Sequence, residues 1–80
     1  MNWYTVILLY AEDFADEYAE SYTDWIRAES APKAAELMKR RLARKLKRDG
    51  YFEDETEEEL AASFETFGVL KGKLVFESLP

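Results

Sequence analysis

The chain opens on a run in which polar positions almost vanish. Trp3 to Tyr10, WYTVILLY, are all aromatic, β-branched or leucine, the composition of a buried strand. Alternation puts Tyr4, Val6, Leu8 and Tyr10 on one face and Trp3, Thr5, Ile7 and Leu9 on the other. Both faces are mostly apolar, so this strand is expected at the centre of a sheet with a cover on each side. A second strand fits SYTDWIRAE (21–29), where Thr23, Trp25 and Arg27 alternate with Tyr22, Asp24, Ile26 and Ala28. Between the two, AEDFADEYAE (11–20) is acidic, with Phe14 and Tyr18 four residues apart. It reads as a loop or as a single helical turn anchored by those rings.

The period then changes. Ala31, Ala35, Met38, Leu42 and Leu46 recur at helical spacing and build one apolar stripe, which predicts a helix over Ala31–Asp49. Ser30 suits the N-cap, Pro32 the first turn and Gly50 the left-handed position after the end. Lys45, Lys47 and Arg48 crowd the last turn, at the negative end of the helix dipole. Thr56 and Glu59 have capping-box spacing and predict a short second helix over about 57–63.

The remainder predicts a strand, SFETFGVL (63–70), a Lys71-Gly72 turn, and a last strand, KLVFES (73–78). Lys-Gly is a weaker hairpin signal than Asn-Gly, so a single bulged strand is the alternative. The expected architecture is one α+β domain over 1–80, in β-β-α-β-β order with the short second helix inserted. A small antiparallel sheet carries one long amphipathic helix on one face. One helix covers only one face, and Trp3, Ile7, Leu9 and Trp25 are then left on the other. A partner or a second copy of the chain is one way to cover them.

Composition narrows the chemistry. Hydrophobic residues are 48% and aromatics 15% of the chain, enough for a packed core. With no Cys and no His, disulfides, thiolate metal sites and the commonest general base are all absent. There is no Gly-rich phosphate loop, no nucleophile motif and no calcium-loop spacing in EDFADEYAE. The expectation is therefore a protein that is no enzyme and carries no cofactor or metal. The N-terminus lacks the basic region of a signal peptide, and its apolar run is too short to span a membrane. A cytoplasmic protein without a membrane partner is expected.

Charge is the unusual feature. The net charge is −6, yet eight of the eleven Lys and Arg residues lie within 31–48, opposed there only by Glu36. Acidic runs at 12–20 and 53–59 balance them. On a helical wheel Lys33, Arg40, Arg44, Lys47 and Arg48 lie opposite the apolar stripe, with Lys39, Arg41 and Lys45 flanking it. Leu37 falls within this basic face. The plain reading is a solvated surface. The near absence of Glu–Lys mixing along the helix argues for more.

Three functions fit the pattern. The leading one is protein binding, in which Leu37 is an apolar anchor and Lys33, Arg40, Arg44, Lys47 and Arg48 steer and pair with a complementary surface. The acidic runs could serve instead, by imitating nucleic-acid phosphates. Nucleic-acid binding through the basic helix 33–48 is the second, opposed by the net charge. Self-association through the open sheet face, as a homodimer, is the third.

A resemblance bears on the choice. WYTVILLY followed by SYTDWIRAESAPKAAELMKR looks like a type of small phage and mobile-element protein, in which an aromatic strand precedes a second strand and an A-E-S/T-x-x-x-A helix start. Ala28, Glu29, Ser30, Ala34 and Ala35 carry it, and FGVLKG (67–72) is similar to the last strand of that pattern. About half of the chain is covered. In size and layout the chain also resembles anti-CRISPR and other anti-defence inhibitors. The resemblance implies a non-catalytic inhibitor of a host defence or nucleic-acid-handling complex, and it transfers no site residue.

Overall fold

A computed structural model describes residues 1–10 and 21–74. Two strands lead, β1 (Asn2–Leu9) and β2 (Ser21–Ala28). The helix α1 (Ala31–Arg48) follows, then the short helix α2 (Glu57–Ser63) and the strand β3 (Glu65–Lys71). The sheet is antiparallel in the order β2-β1-β3, so the doubly apolar strand is central, as its sequence requires.

The order among the described residues is thus β-β-α-α-β. β3 is a single strand whose register with β1 shifts between Ile7 and Leu8, with Phe67 as the extra residue. Of the expected last strand, Lys73 and Leu74 are not in a strand, and 75–78 lie outside the described residues, as does the acidic segment 11–20. No hairpin turn forms at Lys71-Gly72 within the described part, because Lys71 still belongs to β3. Gly72, at φ +106, redirects the chain instead.

Both helices carry the ends that their sequences promise. Ser30 Oγ accepts from the Lys33 amide at 3.3 Å, and Pro32 sits in the first turn. At the C-terminus the Tyr51 amide bonds Leu46 O (2.9 Å) and the Gly50 amide bonds Lys47 O (3.1 Å), a Schellman end with Gly50 at φ +92. Around α2 the Thr56–Glu59 capping box closes in both directions, at 3.1 Å each way. The Thr56 amide, helped by its hydroxyl, holds the Glu59 carboxyl below its ordinary range.

The core lies between α1 and one sheet face. Tyr4, Val6 and Leu8 of β1 and Ile26 and Ala28 of β2 meet Ala34, Met38, Leu42 and Leu46 of α1. Leu60, Ala61 and Phe64 close one end, and the Tyr10 ring meets Phe64 edge-on at 6.2 Å. The buried stripe of α1 is wider than its spacing predicts, because α2 also packs on this helix. Ala34 and Ala43 are fully buried, while Ala31 and Ala35 are half-buried.

The opposite sheet face is covered in part by the chain itself. Residues 72–74 cross it as a strap over Thr5, which is 0% exposed. The Thr5 hydroxyl donates to Gly72 O (2.8 Å) and accepts from the Leu74 amide (2.9 Å). Trp25 Nε1 donates to Leu74 O at 2.6 Å, and the Lys73 ammonium lies 4.6 Å from the Trp3 ring and 4.7 Å from the Trp25 ring. Ile7 and Leu9 lie beyond the strap beside Phe67, which is 70% exposed.

Thr5 is therefore the pin of the strap. Thr5→Val keeps the shape but leaves the Leu74 amide without its acceptor, and is expected to destabilise the fold by about 1–3 kcal/mol. Thr5→Ser retains the hydroxyl and is expected to cost less. Urea unfolding followed by tryptophan emission measures both.

Candidate functional site

The basic residues of α1 do not form one open stripe. Lys33 and Arg40 share Glu36, each at 3.6 Å. Arg44 Nη2 reaches Glu57 Oε1 of α2 at 3.1 Å, and Lys47 Nζ donates to the Glu55 carbonyl. The dense positive run thus turns part of its charge onto the acidic segment that follows it. Arg48 is exposed at the helix end and makes no side-chain ion pair among the described residues. Lys45 stacks over the Tyr22 ring at 5.3 Å.

Leu37 is half-buried against the core rather than standing free. It lines a groove of about 390 Å³ with Ile26 and Arg27 of β2 and Arg40, Arg41 and Arg44 of α1. The groove forms because α1 lies across the sheet beside β2, whose outer edge no strand pairs among the described residues. Leu37 and Ile26 are its apolar residues, and four guanidinium groups line the rest. Each ion pair engages only part of a guanidinium, so further donors remain for a ligand. Of the six residues predicted as a site, Leu37, Arg40 and Arg44 converge here. Lys33, Lys47 and Arg48 lie outside.

Sequence reasoning missed Arg27, Arg41 and Ile26. Arg27 lies in a strand, two positions from Trp25, and its approach to α1 depends on which edge β2 occupies. Arg41 falls on the flank of the stripe, where a wheel gives no direction. Its Nη1 donates to Trp25 O at 3.1 Å and lies 3.8 Å from Asp24 Oδ2. Asp24 Oδ1 in turn accepts from the Trp25 amide at 2.7 Å, and Asp24 Oδ2 accepts from the Tyr22 hydroxyl at 3.1 Å.

A second cleft, of about 400 Å³, meets the first at Ile26, Arg27 and Arg41. It is lined by Trp3, Trp25, Lys73 and Asp24 as well. The Arg27 guanidinium lies 5.9 Å from the Trp3 ring centre, so the indole and guanidinium surfaces adjoin. The two clefts flank the outer edge of β2, which no strand pairs among the described residues.

Neither cleft offers a metal site, and among the described residues no group of three acidic side chains could hold an ion. Among the same residues no helix is long and apolar enough to cross a membrane. The chain matches no protein-family model, no curated protein and no solved structure.

One titration reports on this network. Burial pushes the Tyr22 phenol up to about 12, with the Asp24 charge and hydrogen bond acting in the same direction. A raised phenol makes a contribution that is whole below the ordinary value of 10 and fades as pH rises towards about 12. Wild type is expected to lose stability across that window, and Tyr22→Phe to show a shallower alkaline loss. Unfolding midpoints measured on both sides of pH 10 check the difference.

Proposed function

We propose that the chain is a non-catalytic binding protein that engages an acidic segment of another protein through the groove between β2 and α1. The observation that carries this reading is the combination of Arg27, Arg40, Arg41 and Arg44 with the apolar residues Ile26 and Leu37. Arginine forks bind carboxylates in a bidentate manner, and a protein segment supplies both carboxylates and apolar side chains. A nucleic-acid backbone supplies charge but nothing to fill the Ile26–Leu37 surface. The net charge of −6 opposes a long polyanion more than a short segment with a few carboxylates, and Glu36 and Glu57 interrupt the basic track along α1.

The role is that of an inhibitor or adaptor, in which binding alone has the effect. The likeness in size and layout to anti-defence inhibitors favours an inhibitor of a host defence or nucleic-acid-handling complex. Self-association is a second reading, and exposed Phe67 beside Ile7 and Leu9 supports it. Under that reading the mass in sedimentation rises with concentration, and Phe67→Ser removes the rise.

The test of the leading reading is capture from a bacterial lysate, with and without nuclease, by wild type and by a Leu37→Asp/Arg44→Glu double variant. A protein retained by wild type after nuclease and lost by the variant is the expected result. Capture unchanged in the variant would show that the groove is not the site. Capture abolished by nuclease would instead favour nucleic acid as the ligand.

A further inference from the structure

The outer edge of β2 carries an unusual arrangement of hydrogen bonds. In an antiparallel pair, alternate residues turn their N–H and C=O groups away from the neighbouring strand. Trp25 belongs to that set, since its amide and carbonyl bond Asp24 Oδ1 and Arg41 Nη1 instead of β1. Thr23 and Arg27, two residues to either side, share its orientation. Asp24 therefore stands where the carbonyl of an added strand would stand, and Arg41 where its amide would.

We infer that the β2 edge is a strand-addition site, and that its occupant is an extended acidic segment of a partner protein. This rests on the reading of the groove as the docking surface, and adds the backbone geometry of the docked segment. Alternate side chains of an added strand point to opposite faces of the sheet. One set then enters the groove with Leu37, Arg40 and Arg44, and the other the cleft with Trp3, Trp25 and Lys73. The chemistry of the two sides sets the sequence of the occupant. Every second position faces the groove, with carboxylates against the arginines and one apolar side chain against Ile26 and Leu37. The positions between them, apolar or aromatic, face the indoles.

Charge decides against a second copy as the occupant. Pairing two β2 edges would bring Arg27, Arg40, Arg41 and Arg44 of one copy against the same residues of the other. An acidic strand faces four arginines against the single Asp24 carboxylate, which turns away as the Trp25 amide changes partner. It also gains Arg41, whose guanidinium leaves Trp25 O and turns to a carboxylate of the incoming segment. The added strand replaces the bonds of the Trp25 amide to Asp24 Oδ1 (2.7 Å) and of the Trp25 carbonyl to Arg41 Nη1 (3.1 Å) with its own backbone groups. The Asp24–Arg41 contact that opens with them is a surface pair at 3.8 Å, of the kind worth little in water.

The alternative is that Asp24 and Arg41 only shield the edge from pairing. The two roles differ in what Arg41→Ala does, because a shield blocks binding whereas a ligand promotes it. The probe is a blocked peptide as long as the 8 residues of β2, titrated into isotope-labelled full-length chain. It has Tyr at every second position and Glu at the others, except for one Leu that faces Ile26 and Leu37. The expected result is slowed exchange of the Thr23, Trp25 and Arg27 amides. Affinity is expected to fall about tenfold when alternate peptide nitrogens are methylated, and to fall also in Arg41→Ala.

Equal binding of the methylated peptide, or tighter binding by Arg41→Ala, overturns strand addition. If the Arg40, Arg44 and Leu37 side-chain signals move while the edge amides do not, strand addition fails and the groove reading stands. If neither set responds, strand addition fails again, and the lysate capture by wild type and double variant decides the groove reading separately.

Discussion

The structure depends on one constraint, which is that β1 is apolar on both faces and must be covered on both. The helix α1 meets Tyr4, Val6 and Leu8, and this burial supplies most of the core. The other face has no second layer of helices among the described residues. Its centre is sealed by three residues of backbone after β3, drawn across Thr5 by two hydrogen bonds. A hydroxyl at this point is necessary, because a strap of irregular backbone brings its own polar groups into the covered zone. Trp25 holds the strap from the side, through its bond to Leu74 O and its ring beneath the Lys73 ammonium, so the second strand also takes part in covering the first.

From that arrangement the surface follows. With β1 central and β3 on one side, β2 is left as an edge, and α1 runs beside it. The edge is the place where helix, strand and strap meet, and so both clefts open there. The polar groups that close it are side chains rather than backbone. Asp24 and Arg41 satisfy the Trp25 peptide groups at an edge that no strand pairs among the described residues.

The charge separation along the chain has a related outcome. Basic α1 and the acidic turn before and into α2 fold against each other, which joins Arg44 to Glu57 and Lys47 to the Glu55 carbonyl. The exposed ion pairs of α1, Arg44–Glu57 and the two that Glu36 makes with Lys33 and Arg40, contribute at most about 1 kcal/mol each. They lower the field of the helix without locking its side chains. Arginines with remaining donors, loosely held near an apolar surface, can exchange an internal carboxylate for an external one at small cost.

Local features were legible in the sequence because they act over a few residues. Ser30, Gly50 and the Thr56–Glu59 pair fixed the helix ends through bonds spanning one turn, and the composition of 3–10 marked a central strand. Leu37, Arg40 and Arg44 were legible as candidates because helical period alone brings them to one side. The rest depended on which strand lay where. Sequence alternation assigns Arg27 and Trp25 to a face but cannot say that β2 is an edge, nor that α1 lies along it. Arg41 reads as a flank residue until the Trp25 carbonyl comes within 3.1 Å. Leu37 reads as an exposed anchor until Ile26 lies beside it. The strap was invisible for the same reason, since Thr5 and Leu74 are 69 residues apart and only the folded chain brings them together. Period and capping are properties of neighbours along the chain. The covering of a sheet face and the making of a groove are properties of elements that meet only in space.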